Sequence, residues 1–443
     1  SYKKQLAKSF MTDTKVTDAL VEEAYERVSN EVKASHILVR FAENASPEDT
    51  LVAYNTIVTL RERALVEGFE NVMKEVHNGQ TLFGEELGYF SGFRMVYPFE
   101  NAAFNTKVGD ISQPFRTRFG YHILKVDSIR KSKGEVEVAH ILITDKTEKG
   151  ERLINEVYDK LQKDQQFKTL AREYSDDEGT KSKGGILRKF GTGVMVKPFE
   201  DAAFGLEKED TYSKPFKTQF GWHIVCLIKK YPIDSFENLQ PELLQKVRSD
   251  ERAQLSQMAV IQKLKKKYTI TENESAKSIF DLKNFRNIAT DSLQTEILKI
   301  NERTISQEKF INFIKNKKGK AVFEMYEDFK NEEILNYYKE NLEKLEPEFA
   351  STLQEYKDGL LLFELMQQTI WEKTTKDSLA LKTYFDENSN KYSSDDLTKV
   401  KGEVMNDYQN FLENTWIDEL RRNVIITIYN KQLKNLIKFY NKK

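Results

Sequence analysis

Two stretches of this chain repeat one another closely enough to fix most of what it can fold into. FGYHILKV (Phe119 to Val126) and FGWHIVCL (Phe220 to Leu227) each close a segment that opens on another histidine run, SHILV at Ser35 to Val39 and AHILI at Ala139 to Ile143. Between the histidine runs the copies agree again. MVYPFENAAF (Met95 to Phe104) aligns with MVKPFEDAAF (Met195 to Phe204), and QPFRTRFGYH aligns with KPFKTQFGWH. Whatever one unit folds into, the chain holds twice.

Inside the first unit VKASHILVRF reads as a strand. After the loop AENAS, Pro47 to Glu67 reads as a helix, and Phe69 to Val76 as a second, shorter one. Gly79, Gly84 and Gly88 are predicted to break the chain before Tyr89 and Phe90. Pro98 then starts a short helix at its tolerated first-turn position, and Gly109 turns into two strands. The second unit predicts a strand over Val136 to Thr144, helices over Gly150 to Lys163 and Phe167 to Glu173, and a loop over Ser175 to Gly185. A strand near Ile186 to Phe190, a helix from Pro198 and a strand over Gly221 to Lys229 complete it. Few strands among several helices make each unit a small α+β fold, with boundaries expected at 32–130 and 134–231.

The flanks differ in character. Residues 1–31 form a helical lead-in, with Thr17 the expected N-cap of a helix over TDALVEEAYER that packs on something upstream or on the C-terminal part. Residues 232–268 predict one long linker helix over Asp234 to Lys267, broken at most near Pro241. Residues 269–443 predict a mainly helical domain with short strands at Glu296 to Ile300 and Val424 to Tyr429, and long amphipathic runs at Pro347 to Lys373 and Asp396 to Arg422. Phe349, Leu353, Tyr356, Leu360 and Phe363 recur there at helical spacing and are read as internal packing rather than a binding face. The basic end KQLKNLIKFYNKK is read as a solvated helix, with no stable membrane insertion.

Composition excludes several classes. The near balance of 69 Lys and Arg against 70 Asp and Glu gives no pull on nucleic acid. Cys226 is the one cysteine, so there is no intramolecular disulfide and no multi-cysteine zinc site; its neighbours in HIVCL make it a small buried hydrophobe. No apolar run approaches the roughly 20 residues needed to span a bilayer. The chain opens on SYKKQLAKSF without an initiator Met or a leader, which reads as the start of a processed form or the end of a truncated N-terminal region and leaves the compartment open.

Four of the five histidines are the repeat histidines His36, His122, His140 and His223. A single histidine on an apolar strand is ordinarily a satisfied core residue. Strand alternation, however, puts His140 with Leu142 and His223 with Val225, so neighbouring strands would bring the two imidazoles into one site and let them hydrogen-bond; the same holds for His36 and His122. Metal binding is the rival reading. Each unit offers only two strand histidines, and although Asp176 and Asp177 are within reach, no full ligand set is visible, so neither a metal nor another cofactor is expected. No serine elbow appears, and Cys226 falls on the strand face opposite His223. What surrounds each pair is apolar: Leu187, Met195, Phe199 and Phe220 in the second unit, Leu87, Met95, Phe99 and Phe119 in the first.

This order of residues resembles the parvulin family of peptidyl-prolyl isomerases. The second unit matches at His-Ile-Leu from His140, at Phe-x-x-Leu-Ala-x-x-Tyr-Ser-Asp from Phe167 to Asp176, and at Gly-Gly from Gly184. It matches again at Met-x-x-Pro-Phe-Glu from Met195 and Thr-x-Phe-Gly-Trp-His from Thr218. The resemblance implies two tandem domains, each a small antiparallel sheet wrapped by helices. It further implies a proline pocket at Leu187, Met195 and Phe199 over a hydrogen-bonded floor of His140, His223, Thr218 and Asp177. Many family members carry cysteine at the Asp177 position, and an acidic residue there occurs among bacterial members. The first unit keeps His36, Thr117, His122, Leu87, Met95 and Phe99, but a shorter loop leaves His77, Asn78 or Gly79 where the second has Ser175, Asp176 and Asp177. Both units remain open as isomerases; the second is the better candidate, and the alternative for the first is that it serves mainly to hold peptide.

Two such units between a lead-in helix and a helical region resemble the SurA-type periplasmic folding factors of Gram-negative bacteria. Glu348 to Lys373 looks like the C-terminal portion of their Bacteroidota version. That resemblance implies export to the periplasm and unfolded or proline-containing polypeptide clients, outer-membrane proteins among them. Alternative readings are a non-enzymatic holdase whose parvulin units only bind peptide, and a scaffold that self-associates through the helical region.

Overall fold

The computed structural model describes residues 2–42, 45–281, 288, 290–317, 319–422 and 424–440. They form two compact bodies, Ala7–Glu340 and Ser1–Leu6 with Asn341–Lys443. Helix α1 is Tyr2–Phe10 and α2 is Thr14–Val28. Asp13, not Thr17, caps α2, its carboxylate accepting from the Val16 N–H at 3.1 Å. Thr17 lies a turn inside the helix, where its hydroxyl donates to the Asp13 carbonyl at 2.8 Å.

The first repeat runs β1 (Asn30–Arg40), α3 (Pro47–Glu67), α4 (Phe69–Val76), β2 (Leu82–Phe90), α5 (Tyr97–Asn105), β3 (Phe115–Thr117) and β4 (Gly120–Lys131). The second runs β5 (Glu135–Ile143), α6 (Glu148–Leu161), α7 (Phe167–Tyr174), β6 (Phe190–Gly191), α8 (Lys197–Gly205), β7 (Phe216–Thr218) and β8 (Gly221–Tyr231). Each repeat makes a four-stranded antiparallel sheet, in the orders β2-β1-β4-β3 and β6-β5-β8-β7. Alternation buries both faces of the central pair. Ile37, Val39 and Ile123 pack under α3 and α4, whereas Val32, Ala34, Leu124 and Val126 face Phe99 of α5. The histidines share the latter face.

The glycines of the first unit do not all break the chain. Gly84 and Gly88 lie inside β2, which pairs with β1 from Val32 to Val39. Gly84 is there because β2 runs hard against α4: a Cβ would sit 2.2 Å from the Met73 carbonyl oxygen. In the second unit the same segment is a long loop, and the strand predicted near Ile186 to Phe190 shrinks to β6 and one bridge between Ala139 and Ile186.

The long linker helix is two helices, α9 (Phe236–Ser249) and α10 (Ala253–Lys267). Pro241 is carried inside α9, and the break falls at Asp250, which is extended. The cause is Arg252, which turns inward, is wholly buried and pairs with Glu100 of α5. The apolar face of α2 closes on the same helices, Leu20, Val21 and Ala24 meeting Leu243 and Val247. Next come β9 (Ile270–Glu272), α11 (Glu274–Lys277), β10 (Glu296–Ile300), β11 (Arg303–Ser306), α12 (Gln307–Ile314) and α13 (Val322–Leu345), with a three-stranded sheet in the order β11-β10-β9.

The smaller body is helical: α14 (Pro347–Met366), a π turn over Gln367–Trp371, α15 (Glu372–Lys376), α16 (Ser378–Asn388), α17 (Leu397–Arg422) and α18 (Asn430–Tyr440). The aromatic stripe of α14 splits. Phe349 and Leu353 are buried; Tyr356 and Phe363 are partly exposed but still pack, Tyr356 stacking on Tyr2 at 3.9 Å and Phe363 meeting Trp371 edge-on at 5.2 Å, so Leu360 is the stripe residue left to solvent without such a contact. Val424 to Tyr429 forms no strand: no neighbouring strand among the described residues pairs with it, and its apolar side chains are exposed. The basic end is helical through Tyr440, and 441–443 lie outside the described residues. Among the described residues no helix is long and apolar enough to cross a membrane.

Candidate functional site

In the second unit the β5–β8 register sets His140 opposite Val225 and His223 opposite Leu142. Both imidazoles thus share one face, with ring centroids 5.9 Å apart and planes inclined by 23°. They do not hydrogen-bond each other, contrary to the expectation from the strand pattern; both Nδ1 atoms are buried without a partner. His140 is drawn instead to Asp177, its Nε2 lying 2.8 Å from the carboxylate. His223 is held by Thr218, Oγ1 to Nε2 2.8 Å, and the same hydroxyl accepts from the Phe220 N–H at 3.0 Å.

The loop that delivers Asp177 is tied to the histidine strand at both ends. The Ser175 hydroxyl accepts from the Leu142 N–H at 3.2 Å, and the Gly185 carbonyl accepts from the His140 N–H at 2.8 Å. Gly185 has φ +80°, and a Cβ there would lie 2.1 Å from the His140 carbonyl oxygen, so only glycine lets the loop come this close. Thr180 hydrogen-bonds to Asp177 and lies 3.3 Å from His140 Nε2. Burial pushes the Asp177 carboxyl up, but the bonds from Thr180 and His140 outweigh it and hold it below the ordinary carboxylate value. Burial first, and then His140, lowers His223 to about 4, so its ring is neutral at pH 7.

Above this floor Phe199 stands edge-on to both rings, at 5.7 Å from His140 and 5.4 Å from His223. Phe216 stacks on His223 at 5.5 Å. Leu187 and Met195 pack half-buried against the same cluster. Phe220 stands outside that wall, 55% exposed.

The first unit repeats the floor with one change. His36 and His122 do meet, Nδ1 to Nδ1 3.3 Å, and Thr117 Oγ1 lies 2.8 Å from His122 Nε2. Burial, then His36, lowers His122 to about 3; burial also lowers His36, against the pull of Glu85. Phe99 stands edge-on to both rings, Phe115 stacks on His122 at 5.3 Å, and Leu87 and Met95 line the wall, whereas Phe119 is exposed. His77, Asn78 and Gly79 do not take the place of the acidic loop. His77 Nδ1 accepts from the Gly84 N–H and Asn78 caps the turn into β2. The carboxylate beside His36 is Glu85, opposite it on β2 and 3.6 Å from Nε2.

Phe115, Phe216, Thr180 and Glu85 belong to these sites and were not singled out in the sequence. The phenylalanines carried a signal, since each stands two residues before the floor threonine and so on its face of the strand. Glu85 carried none without the strand register. Cys226 is buried and its thiol is pushed up to about 11, chiefly by burial, so it is no nucleophile at neutral pH. Asp176 is taken up by the N–H and hydroxyl of Thr144, and no group of three His, Cys, Asp or Glu among the described residues is arranged to hold a metal ion.

Residues 11–128 and 140–229 match the family model of the rotamase, PPIC-type peptidyl-prolyl isomerase domain. The chain is similar to the chaperone SurA of Idiomarina loihiensis, 30% identical over 233 residues that make 50% of this chain and 53% of that one. It is also similar to the foldase protein PrsA 4 of Bacillus cereus, 42% identical over 117 residues, 26% of this chain and 40% of that one. Among solved structures, a peptidylprolyl isomerase (PrsA) from Bacillus cereus shares 33% identity over 34% of this chain and 56% of that one, with a TM-score of 0.23. The chain thus spans about half the length, or less, of the curated relatives it matches.

Proposed function

We propose, from the premise that the chain carries two PPIC-type parvulin domains, that it is a peptidyl-prolyl cis-trans isomerase that doubles as a chaperone for unfolded exported polypeptides, the second unit being the more active. The observation that carries this reading is the pairing, in each unit, of two buried histidines, one of them (His122 or His223) held neutral, and a threonine with a wall of Phe, Met and Leu.

Such a site suits a reaction in which no bond breaks. Rotation about a peptide C–N bond is resisted by resonance, with a barrier of roughly 18–20 kcal/mol, and proline alone populates both isomers substantially. A wall of Leu187, Met195 and Phe199 grips the pyrrolidine ring. Its dryness disfavours the planar, polar ground state, and the fixed dipoles of His223 and Thr218 need no reorganisation as the carbonyl turns. No cofactor enters. Periplasmic location and outer-membrane clients belong to the same proposal and are supported by the similarity to SurA chaperones.

The test is exchange spectroscopy of a short proline peptide with the full chain. Catalysed exchange that Met195→Ala cuts by about tenfold, the scale of a few lost methylene contacts, is expected. A non-enzymatic holdase is the second reading, favoured by the exposed Leu360, Leu361, Leu362, Phe363 and Leu365 on α14. Suppressed aggregation of an unfolded polypeptide with exchange no faster than in buffer would select it.

A further inference from the structure

The two histidine sites belong to one compact body, Ala7–Glu340, and their walls touch. Leu87 and Met95 line the first site, and Leu187 and Met195 line the second. Arg94, the chain neighbour of Met95, donates through its guanidinium to the carbonyl of Gly193 at 3.3 Å, and Gly193 stands two residues before Met195. A second contact lies beside it. A Cβ on Gly193 would stand 3.1 Å from the carbonyl oxygen of Tyr89, which is two residues beyond Leu87 on β2. The turn that shapes one wall is therefore seated on the strand and turn that shape the other.

These contacts limit how far apart the two sites stand. From Leu87 to Met195 the path is two residues of chain, one close contact and two more residues, so the two Cα atoms lie within roughly 20 Å. The lower limit comes from the walls. Each site has its own layer of Phe, Met and Leu, and packed layers stand about 10 Å apart. An extended polypeptide advances about 3.3 Å per residue, so adjacent prolines fall short of both walls, whereas prolines about seven residues apart span even the larger limit. Val194, 43% exposed at the junction, gives a crossing chain an apolar step between the sites.

We propose that the two sites take one polypeptide together, and that the substrate class is unfolded chains carrying two prolines about seven residues or more apart. That each site seats a proline rests on the isomerase reading; that both act on one chain rests on the contact between their walls. Once one proline is seated, the second is held near its own site at an effective concentration on the order of millimolar, so two weak grips combine into a firmer one.

The experiment titrates the full chain by calorimetry with two unstructured peptides of the same length and composition, one with its two prolines adjacent and one with them eight residues apart. A third peptide has alanine at both positions. The spaced peptide should bind one to one and roughly tenfold more tightly than the adjacent one. Met95→Ala and Met195→Ala should each bring the spaced peptide down to the affinity of the adjacent one. Equal affinities for the two proline peptides, a gain that survives either substitution, or two protein chains on one spaced peptide overturns the proposal. Exchange spectroscopy of a single-proline peptide tells the two failures apart. Catalysed exchange together with equal affinities sinks the shared binding and leaves the isomerase reading standing. A tenfold gain for the spaced peptide without catalysed exchange leaves the shared binding standing and sinks the isomerase.

Discussion

The two units differ instructively where one sequence position holds Phe93 in the first and Gly193 in the second. Both residues sit at positive φ, 62° and 78°, in the turn before the helix of the Met-x-x-Pro-Phe-Glu motif. In both, the motif glutamate accepts the backbone N–H of that turn at 2.7 Å, Glu100 from Phe93 and Glu200 from Gly193. Glycine takes the left-handed region freely and phenylalanine does not. The first unit accepts that strain because the Phe93 ring stacks under the Arg252 guanidinium at 4.0 Å, while Glu100 pairs with Arg252 and with Arg27 of α2. The second unit's turn meets its sister instead, Arg94 donating to the Gly193 carbonyl at 3.3 Å. One motif therefore serves two ends: in the first unit it pins the domain to the helices around it, and in the second it only shapes the turn.

The largest expected effect breaks this contrast at the glutamates. Glu100→Gln leaves Arg252, wholly buried, with only the more distant Asp250 carboxylate at 3.6 Å, and loss of the close partner of a buried ion pair costs about 3 kcal/mol. Glu200 is partly exposed and its carboxyl is pushed up by burial, so Glu200→Gln should change stability by less than about 0.5 kcal/mol. Hydrogen exchange resolved by peptide would show α5 amides opening far more often in the first variant and α8 amides nearly unchanged in the second. Similar exchange in the two variants would mean that the arginines do not pin the first unit.

The next effect concerns activity. His223→Ala removes a floor ring from the unit that also has Asp177, and a lost buried hydrogen bond of about 1.4 kcal/mol corresponds to a tenfold fall in catalysed exchange. His122→Ala in the first unit should lower exchange by less than about twofold, if that unit mainly holds peptide. The reverse ranking would move the isomerase to the first unit.

Local signals read correctly. Pro47 to Glu67 and Phe69 to Val76 are helices with the bounds that a first-turn proline and apolar spacing predict, and Ser46 completes a capping box with Asp49. Alternation alone put His140 and His223 on one face. What escaped was set by distant parts of the chain. Gly84 looked like a breaker because its neighbour Met73 is eleven residues back and meets it only in the folded unit. The interruption of the linker helix at Asp250 answers to Glu100, far upstream. Glu85 joins the first site solely through the β1–β2 register, and the missing imidazole bond of the second site follows from how the Asp177 loop seats His140.

Acid sharpens the comparison further. The folded His122 and His223 titrate at about 3 and about 4, whereas in the unfolded chain both lie near 6.5. Below pH 6.5 the unfolded chain therefore holds protons that the folded units refuse. Stability is full above that pH, falls as pH drops, and stops falling once the folded ring protonates. The second unit should level off near pH 4, and the first should lose about 1 kcal/mol more on the way to pH 3. Exchange of the two sets of sheet amides across this range separates the curves, and a common plateau would mean that the direct contact of His122 with His36, which the second unit's pair lacks, does not lower His122 further.

The smallest effect isolates the carboxylate beside each site's first histidine. Asp177 lies 2.8 Å from His140 Nε2, is also bonded by Thr180, and is held ionised below the usual range. Glu85 lies 3.6 Å from His36 Nε2 and is about half exposed, where solvent screens most of the attraction. Asp177→Asn keeps the size and one acceptor but removes the charge that orients His140, so catalysed exchange should fall about threefold, the equivalent of a weakened rather than lost hydrogen bond. Glu85→Gln should leave exchange within experimental error, because His36 is already fixed by His122 at 3.3 Å. The discriminating measurement is the double variant. If Asp177 acts only by holding His140 in place, adding His140→Ala to Asp177→Asn should cost no more than His140→Ala alone. A further loss in the double variant would mean that the carboxylate acts on the bound peptide itself, and the floor of the second unit would then need a third member that the first unit lacks.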